Sequence, residues 1–171
     1  MRPRSLDDFL RSAHVPFTTV HHAAAFTAQE QAALSHVPGR SWAKTVICIA
    51  GEEPIAAVVP AHLSVDLEQL RRLAGAASVR LACETEICPI YPDCEPGAVS
   101  PFTSGRRLRV FVDRSFVGDP AMVFSAGTHT DAIRMHYGDF ADLIRPVVGA
   151  IAAPRPARPA SGNQWSLARM A

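Results

Sequence analysis

Three short segments carry polar or conformationally special residues where the surrounding pattern is apolar. The first is Lys44, inside the strand-like run WAKTVICIA. The second is FSAGTH, where an apolar run ends at Ser125 and small residues lead through Gly127 to His129. The third is the loop GAVSP, from Gly97 to Pro101. Such groups can bind an anion or stabilise a negative charge that develops during a reaction.

Lys44 is the only lysine among 17 Lys and Arg residues. A lysine in a strand of this kind is either exposed at a sheet edge or directs a cation into a cleft. A solitary lysine marks a position that needs a compact ammonium, or it persists by chance in an arginine-rich chain. Composition alone leaves both alternatives open.

Familiar catalytic and metal-binding motifs are absent from the sequence. It contains no nucleophile elbow, P-loop, GxGxxG or HExxH pattern. The spacing of Cys48, Cys83, Cys88 and Cys94 matches no common zinc site, which favours reduced thiols over a metal site. No metal or cofactor is therefore expected.

The net charge of +1 argues against a broad basic face for long nucleic acids. A nucleic-acid partner would then be held over a small contact. The N-terminus resembles no signal peptide, and no apolar run is long enough to span a membrane. We expect a soluble, cytoplasmic protein with no membrane partner.

The elements that must position these groups follow from capping and periodicity. A first helix is expected to end near His14, and Thr27 with Glu30 forms a capping box that opens a second helix. WAKTVICIA and PIAAVVP predict a hairpin, and Ser64 is expected to cap a helix that Gly75 terminates. Further strands and a closing helix, GDFADLIRPVV, predict an α+β domain with a mixed, largely antiparallel sheet.

The chain of 171 residues fits one domain, and 48% hydrophobic with 19% charged residues indicates a globular protein. Composition changes after Ile151, where AAPRPARPASGNQWSLARMA is rich in Pro, Ala and Arg. We predict a domain over residues 1–151 and a flexible tail over residues 152–171.

Lys44 in WAKTVICIA, the Gly-x-x-x-Pro loop GAVSP and the segment FSAGTH occur in an order that resembles the YbaK/EbsC-type domain. That domain is also the editing insertion of bacterial prolyl-tRNA synthetases and occurs as free-standing prolyl-tRNA editing proteins. The resemblance covers about residues 5–150. It implies a barrel-like sheet core surrounded by helices, and a hydrolase that removes a wrong amino acid from tRNA.

The resemblance also implies roles for individual residues. Lys44 would contact the terminal adenosine or its phosphate, and the loop from Gly97 to Pro101 would position the aminoacyl ester. Ser125 falls at a polar pocket position, and His129 falls where some family members shape substrate choice. Lys44, Gly97 and Ser125 are thus the expected catalytic residues. The family's usual glycine after Pro-Phe is Thr103 here, which puts the exact substrate in doubt.

The loop and its neighbours are expected to form a small amino-acid pocket. Alanine, cysteine or serine would fit it, and the sequence does not choose among them. The expected substrate-binding residues are Phe26, Ala98, Val99, Ser100, Pro101, Phe102, Gly127 and His129.

Arginines follow the loop directly. Strand alternation puts Arg107 and Arg109 on one face, where they would meet acceptor-stem phosphates or form a solvated surface. The expected partners are therefore the acceptor end of tRNA and, secondarily, an aminoacyl-tRNA synthetase.

Three functions are compatible with the sequence. The first is an aminoacyl-tRNA deacylase acting in trans, on a small amino acid and on tRNA for proline. The second is a non-catalytic binding or regulatory module with the same fold. An unrelated esterase ranks last because no nucleophile motif is present. Lys44 and the intact Gly-x-x-x-Pro loop favour the deacylase.

Overall fold

A computed structural model describes residues 6–102 and 108–155. Its α-helices are α1 (Leu6–Ser12), α2 (Ala28–Leu34), α3 (Leu67–Ala74), α4 (Glu84–Ile87) and α5 (Tyr137–Ile144). Its strands are β1 (Thr18–His21), β2 (Trp42–Ala50), β3 (Glu53–Pro60), β4 (Ser64–Val65), β5 (Val79–Leu81), β6 (Arg109–Asp113), β7 (Met122–Ser125), β8 (Asp131–Met135), β9 (Val147–Gly149) and β10 (Ala152–Ala153). Arg107 and Thr103 lie outside the described residues.

Side-chain caps set the helix starts. The capping box of Thr27 and Glu30 opens α2, as predicted. The prediction that Ser64 caps α3 is wrong. Ser64 is taken up in β4, and the carboxylate of Asp66 accepts the N–H groups of Glu68 and Gln69 instead.

The main sheet has eight strands, seven of them in the order β1-β8-β7-β2-β3-β6-β9. The predicted hairpin is confirmed, because β2 and β3 pair in antiparallel register from Ala43 with Pro60 to Ala50 with Glu53. Parallel pairs join β2 to β7, β3 to β6 and β6 to β9, and the other pairs are antiparallel. The predicted α+β class with a mixed sheet is confirmed.

The edge of β2 opposite β3 is divided between two strands. β7 pairs with Trp42 and Ala43, whereas β5 pairs with the far end of β2 from Cys48 to Ala50. Residues 44–46 lie between these two pairings, and no described strand covers them on that side. The sheet therefore opens a gap beside Lys44.

Apolar side chains fill both faces of the sheet. On one face Phe116, Phe124 and Phe140 are fully buried, and on the other Phe111 packs in a cluster with Leu70 of α3. Phe111 and Phe124 are thus both core residues. Packed apolar side chains therefore support β2 from both faces of the sheet.

The chain continues past α5 in two short strands that the sequence analysis did not foresee. β9 joins β6, and β10 pairs with β4 at the start of the predicted tail. The carboxylate of Asp113 accepts the N–H groups of Ile151 and Ala152, both at 2.9 Å. Within the described ranges, no helix is long and apolar enough to cross a membrane.

Candidate functional site

A cleft of about 380 Å³ opens at the gap in β2. It lies between the exposed edge of β2, helix α4 and the segment that precedes Val99. The residues used below that line it are Phe26, Lys44, Thr45, Glu84, Cys88, Tyr91, Cys94, Glu95, Gly97, Val99 and Arg155. The divided edge of β2 and the predicted glycine loop therefore face one cavity.

Lys44 lines this cleft and is partly buried. Its Nζ donates to the carbonyl oxygen of Leu63 at 2.6 Å. Burial, followed by the positive charge of Arg155, lowers the pKa of Lys44 from 10.5 to about 8. The ammonium is still mostly protonated at neutral pH, so Lys44 acts there as a cation.

The loop presents its backbone to the cleft. Gly97 has a φ of +87°, a conformation that glycine adopts without strain. The N–H of Ala98 donates to the carbonyl of Glu95, at 2.9 Å. Among the described residues, the N–H groups of Gly97 and Val99 donate no hydrogen bond. Two donors of this loop are therefore available to a ligand.

Phe26 and His129 contact the loop at Gly97. A methyl group placed on Gly97 would lie 3.7 Å from the carbonyl oxygen of Phe26 and 3.8 Å from Cε1 of His129. The rings of Phe26 and His129 are 4.7 Å apart. The N–H of His129 donates to Glu95 at 2.6 Å, which ties the FSAGTH segment to the loop. Phe26 is 71% exposed and offers an open aromatic face.

Ser125 is buried and lies outside the described lining of the cleft. Its hydroxyl donates to Oε1 of Gln31 at 2.9 Å, and Nε2 of Gln31 donates to the carbonyl of Ala25 at 2.9 Å. Ser125 and Gln31 are 8% and 1% exposed. Ala25 in turn bonds His129 through its own N–H, at 3.2 Å. This buried chain fixes the segment that carries Phe26.

Several other predicted residues support the cleft from the core. Ala98, Ser100 and Pro101 are buried, and the ring of Phe102 packs among Phe9, Phe124 and Phe140. Gly127 has a φ of +102°, and a methyl group there would lie 3.3 Å from Sγ of Cys94. These residues lie outside the described lining of the cleft.

The two predicted tRNA-binding arginines are not seen together. Arg107 lies outside the described residues. Arg109 places its guanidinium 5.1 Å from the ring centroid of Phe111, and it lies outside the described lining of the cleft. Their common role stays a prediction.

Sequence reasoning missed several residues at the cleft. Glu95 adjoins the recognised loop, and its position directly before Pro96 was the available clue. Arg155 lies in the predicted tail, and the pairing of β10 with β4 and the hydrogen bonds of Ile151 and Ala152 to Asp113 bring it near Lys44. Thr45 and Tyr91 carry buried hydroxyls that have no hydrogen-bond partner among the described residues.

The cysteines are free thiols, and Cys88 and Cys94 line the cleft. Burial raises the pKa of Cys94 and outweighs a hydrogen bond from the backbone of Ser100. Its thiol is therefore protonated at neutral pH and a poor nucleophile. The described residues contain no group of three His, Cys, Asp or Glu side chains that could hold a metal ion.

Known proteins are similar to this chain in sequence and in fold. Over 116 residues, or 68% of this chain, the sequence is 28% identical to a proline–tRNA ligase of Nitratidesulfovibrio vulgaris. The match spans only 20% of that ligase. A crystal structure of a hypothetical protein aligns with a TM-score of 0.80 and 19% identity, covering 88% of this chain and 100% of the other. A candidate trans-editing enzyme for prolyl tRNA synthetase aligns with a TM-score of 0.75 and 20% identity, covering 84% and 92%.

The family assignment comes from the sequence itself. A family described as the aminoacyl-tRNA editing domain matches residues 22–143. The matched range contains Lys44, the glycine loop and His129, and it accounts for most of the cleft. The chain therefore belongs to the aminoacyl-tRNA editing domain family.

Proposed function

We propose that this protein is a hydrolase that deacylates mischarged tRNA in trans, in the cytoplasm. The amino acid is small, such as alanine, cysteine or serine, and the tRNA is the one for proline. One observation carries the proposal: Lys44 lines the same cleft as Gly97 and Val99, whose N–H groups donate no hydrogen bond among the described residues. The match to a proline–tRNA ligase supports the choice of tRNA.

Hydrolysis of an aminoacyl ester needs little beyond placement and charge stabilisation. Water adds to the carbonyl carbon, the bond to the ribose oxygen breaks, and a proton from water ends on that oxygen. The carbonyl oxygen becomes negatively charged on the way. The N–H groups of Gly97 and Val99 would donate to it, and one such donor is commonly worth about 3 kcal/mol. The reaction requires no side-chain nucleophile.

The remaining groups would hold the end of the tRNA. Lys44 supplies a cation for the terminal nucleotide. The exposed ring of Phe26 supplies a face on which an unpaired base can stack. Ser125 acts as a positioning residue, because its hydroxyl is committed to Gln31.

The need for such an enzyme follows from the limits of binding. A pocket distinguishes amino acids that differ by a methylene by only about 1–3 kcal/mol, so synthetase errors require a second site. Here the rings of Phe26 and His129 lie 4.7 Å apart beside Gly97 and would limit the space for the amino-acid side chain, which favours a small amino acid.

A non-catalytic binding module with the same fold is the second candidate. It would use the same cation and aromatic face to hold aminoacyl-tRNA, without hydrolysis. The free loop donors favour the enzyme, because binding alone gives no reason to leave backbone N–H groups unpaired beside the cation.

The decisive experiment is a deacylation panel. tRNAs charged with Ala, Cys, Ser, Thr and Pro are incubated with the wild-type protein and with Lys44→Ala. We expect at least one mischarged tRNA to be hydrolysed and correctly charged prolyl-tRNA to be spared. Lys44→Ala is expected to lower kcat/KM by about tenfold or more.

The panel separates the alternatives. If no charged tRNA is hydrolysed but aminoacyl-tRNA binds, the binding module replaces the enzyme. Full activity of Lys44→Ala would remove Lys44 from the site and leave the function standing.

A further inference from the structure

A second cation lies beside Lys44 in the cleft. Nη2 of Arg155 donates to the carbonyl oxygen of Ala61 at 2.9 Å, and Nζ of Lys44 donates to that of Leu63 at 2.6 Å. These two carbonyls belong to the same short connection between β3 and β4. This connection therefore binds both cationic groups, and both residues line the cleft.

The two charges have no ionic counterpart. Among the described residues, neither Lys44 nor Arg155 forms a salt bridge. Of the carboxylates that line the cleft, Glu95 is bonded to the N–H of His129 at the loop, and Glu84 begins helix α4. The repulsion from Arg155 contributes, after burial, to the lowered pKa of Lys44. An anionic ligand would relieve this repulsion.

Arg155 lies outside the segment that matches the family, which ends at residue 143. It reaches the cleft because β10 pairs with β4 and because Asp113 accepts the N–H groups of Ile151 and Ala152. The second cation is thus a contribution of the C-terminal extension of this chain.

We propose that Arg155 is a phosphate-binding residue that, with Lys44, holds the phosphate preceding the terminal adenosine of the tRNA. The assignment rests on the proposed function, which brings that nucleotide into the cleft. The planar guanidinium can offer two parallel donors to phosphate oxygens, while the ammonium acts as a compact charge. The phosphate would then fix the distance between the tRNA end and the loop at Gly97.

The test uses four ligands with the full-length protein. They are adenosine, adenosine 5′-monophosphate, and the 3′-alanylamido-3′-deoxy form of each, which cannot be hydrolysed as an ester. Affinities are measured by calorimetry for wild type, Arg155→Ala, Arg155→Lys and Arg134→Ala. Arg134 is an exposed arginine of β8 outside the described lining of the cleft, and it serves as the matched control.

We expect the phosphate to increase wild-type affinity by about tenfold in both ligand pairs. Arg155→Ala should remove most of this increase and leave the ligands without phosphate unaffected. Arg155→Lys should keep part of the increase, and Arg134→Ala should match wild type.

The proposal would be overturned by the lack of a phosphate effect in wild type, or by an unchanged phosphate effect in Arg155→Ala. An equal loss for ligands with and without phosphate would also overturn it, because Arg155 would then act on the shape of the cleft. If the phosphate effect depends on Arg155 but the alanyl group adds no affinity, the phosphate site stands and alanine is removed as the proposed amino acid; the deacylase proposal itself fails only if the tRNA panel shows no hydrolysis.

Discussion

Gly97 contributes to the candidate site through its backbone. Its φ of +87° turns the loop so that its own N–H and that of Val99 remain unpaired beside the cleft. The space around its Cα is adequate for a methyl group, with the nearest atoms at 3.7 and 3.8 Å. The requirement for glycine at this position is therefore conformational and not steric.

Gly97→Ala tests this requirement. We expect a loss of about 1–2 kcal/mol in the free energy of unfolding, because alanine is strained at positive φ. We also expect kcat/KM for the deacylated tRNA to fall by about tenfold or more, because the loop donors shift. Urea unfolding and single-turnover deacylation measure the two effects.

Gly118→Ala is the matched control. Gly118 has a φ of +80° with open space around it, and it lies outside the described lining of the cleft. It should lose similar stability and keep its activity. Equal loss of activity in both variants would show that the effect of Gly97→Ala comes from strain in the fold.

Individual residues were predictable where local chemistry marked them. Lys44 was noticed as a solitary lysine, and the loop was noticed through its glycine and prolines. Glu95 was missed although it adjoins the loop, and Arg155 was missed because it has no distinctive local pattern. Arg155 becomes significant only when residues about a hundred positions apart in the chain come together in space.

At the level of elements, strand β2 organises the site. One edge pairs along its length with β3, and the other is shared by β7 and β5, which leaves residues 44–46 open. The hairpin was predictable, since apolar runs flank a turn. The divided edge was not, because β5 and β7 are separated from β2 by long stretches of chain and their register depends on tertiary packing.

Helix boundaries likewise were predicted correctly where they depend on neighbouring residues, and incorrectly where a distant strand takes part. The capping box at Thr27 was correct because its partners are three residues apart. The cap of α3 was misplaced from Asp66 to Ser64, because the strand pairing that occupies Ser64 involves Ala153. Local capping patterns thus failed where a distant strand competed for the residue.

The buried link between β7 and α2 carries a prediction at this scale. Ser125→Ala would leave Oε1 of Gln31 buried without its donor, and we expect a loss of about 1–3 kcal/mol in the free energy of unfolding. Activity should fall as well, because Gln31 holds the carbonyl of Ala25 beside Phe26. Urea unfolding and kcat/KM are measured together.

Ser35→Ala is the control for this variant. The hydroxyl of Ser35 is buried but has no partner among the described residues, so its removal should change stability by less than about 0.5 kcal/mol. A Ser125→Ala variant with unchanged stability and abolished turnover would instead assign Ser125 a direct catalytic role.

At the scale of the whole molecule, the side chain of Asp113 links the main sheet to the segment that contains β10. It ends β6 and accepts three backbone N–H groups, from Ser115, Ile151 and Ala152. Burial raises its pKa, but the hydrogen bonds outweigh burial, and the pKa lies below its usual value of 3.8. The folded protein therefore favours the ionised carboxylate more than the unfolded chain does.

This shift predicts a pH-dependent stability. Because the folded pKa is lowered, the contribution of Asp113 is present above about pH 4 and disappears as the pH falls further. We expect Asp113→Asn to be less stable than wild type at pH 7 by about 1–3 kcal/mol. The difference should narrow below about pH 4.

Urea unfolding of both proteins from pH 2 to pH 7 measures this difference. If the difference in the free energy of unfolding stays constant from pH 2 to pH 7, Asp113 stabilises this link through its shape and not through its charge.

The attachment of Arg155 to a two-residue strand has a thermodynamic consequence. A strand of only two residues opens locally at low cost, and Arg155 is in place only while β10 is docked on β4. The observed dissociation constant for a ligand that needs Arg155 is then the intrinsic constant divided by the docked fraction. By reciprocity, the ligand slows hydrogen exchange at the N–H groups of Ile151 and Ala152. The affinity of the cleft for such a ligand would thereby depend on how firmly Asp113 holds the segment from Ile151 to Arg155.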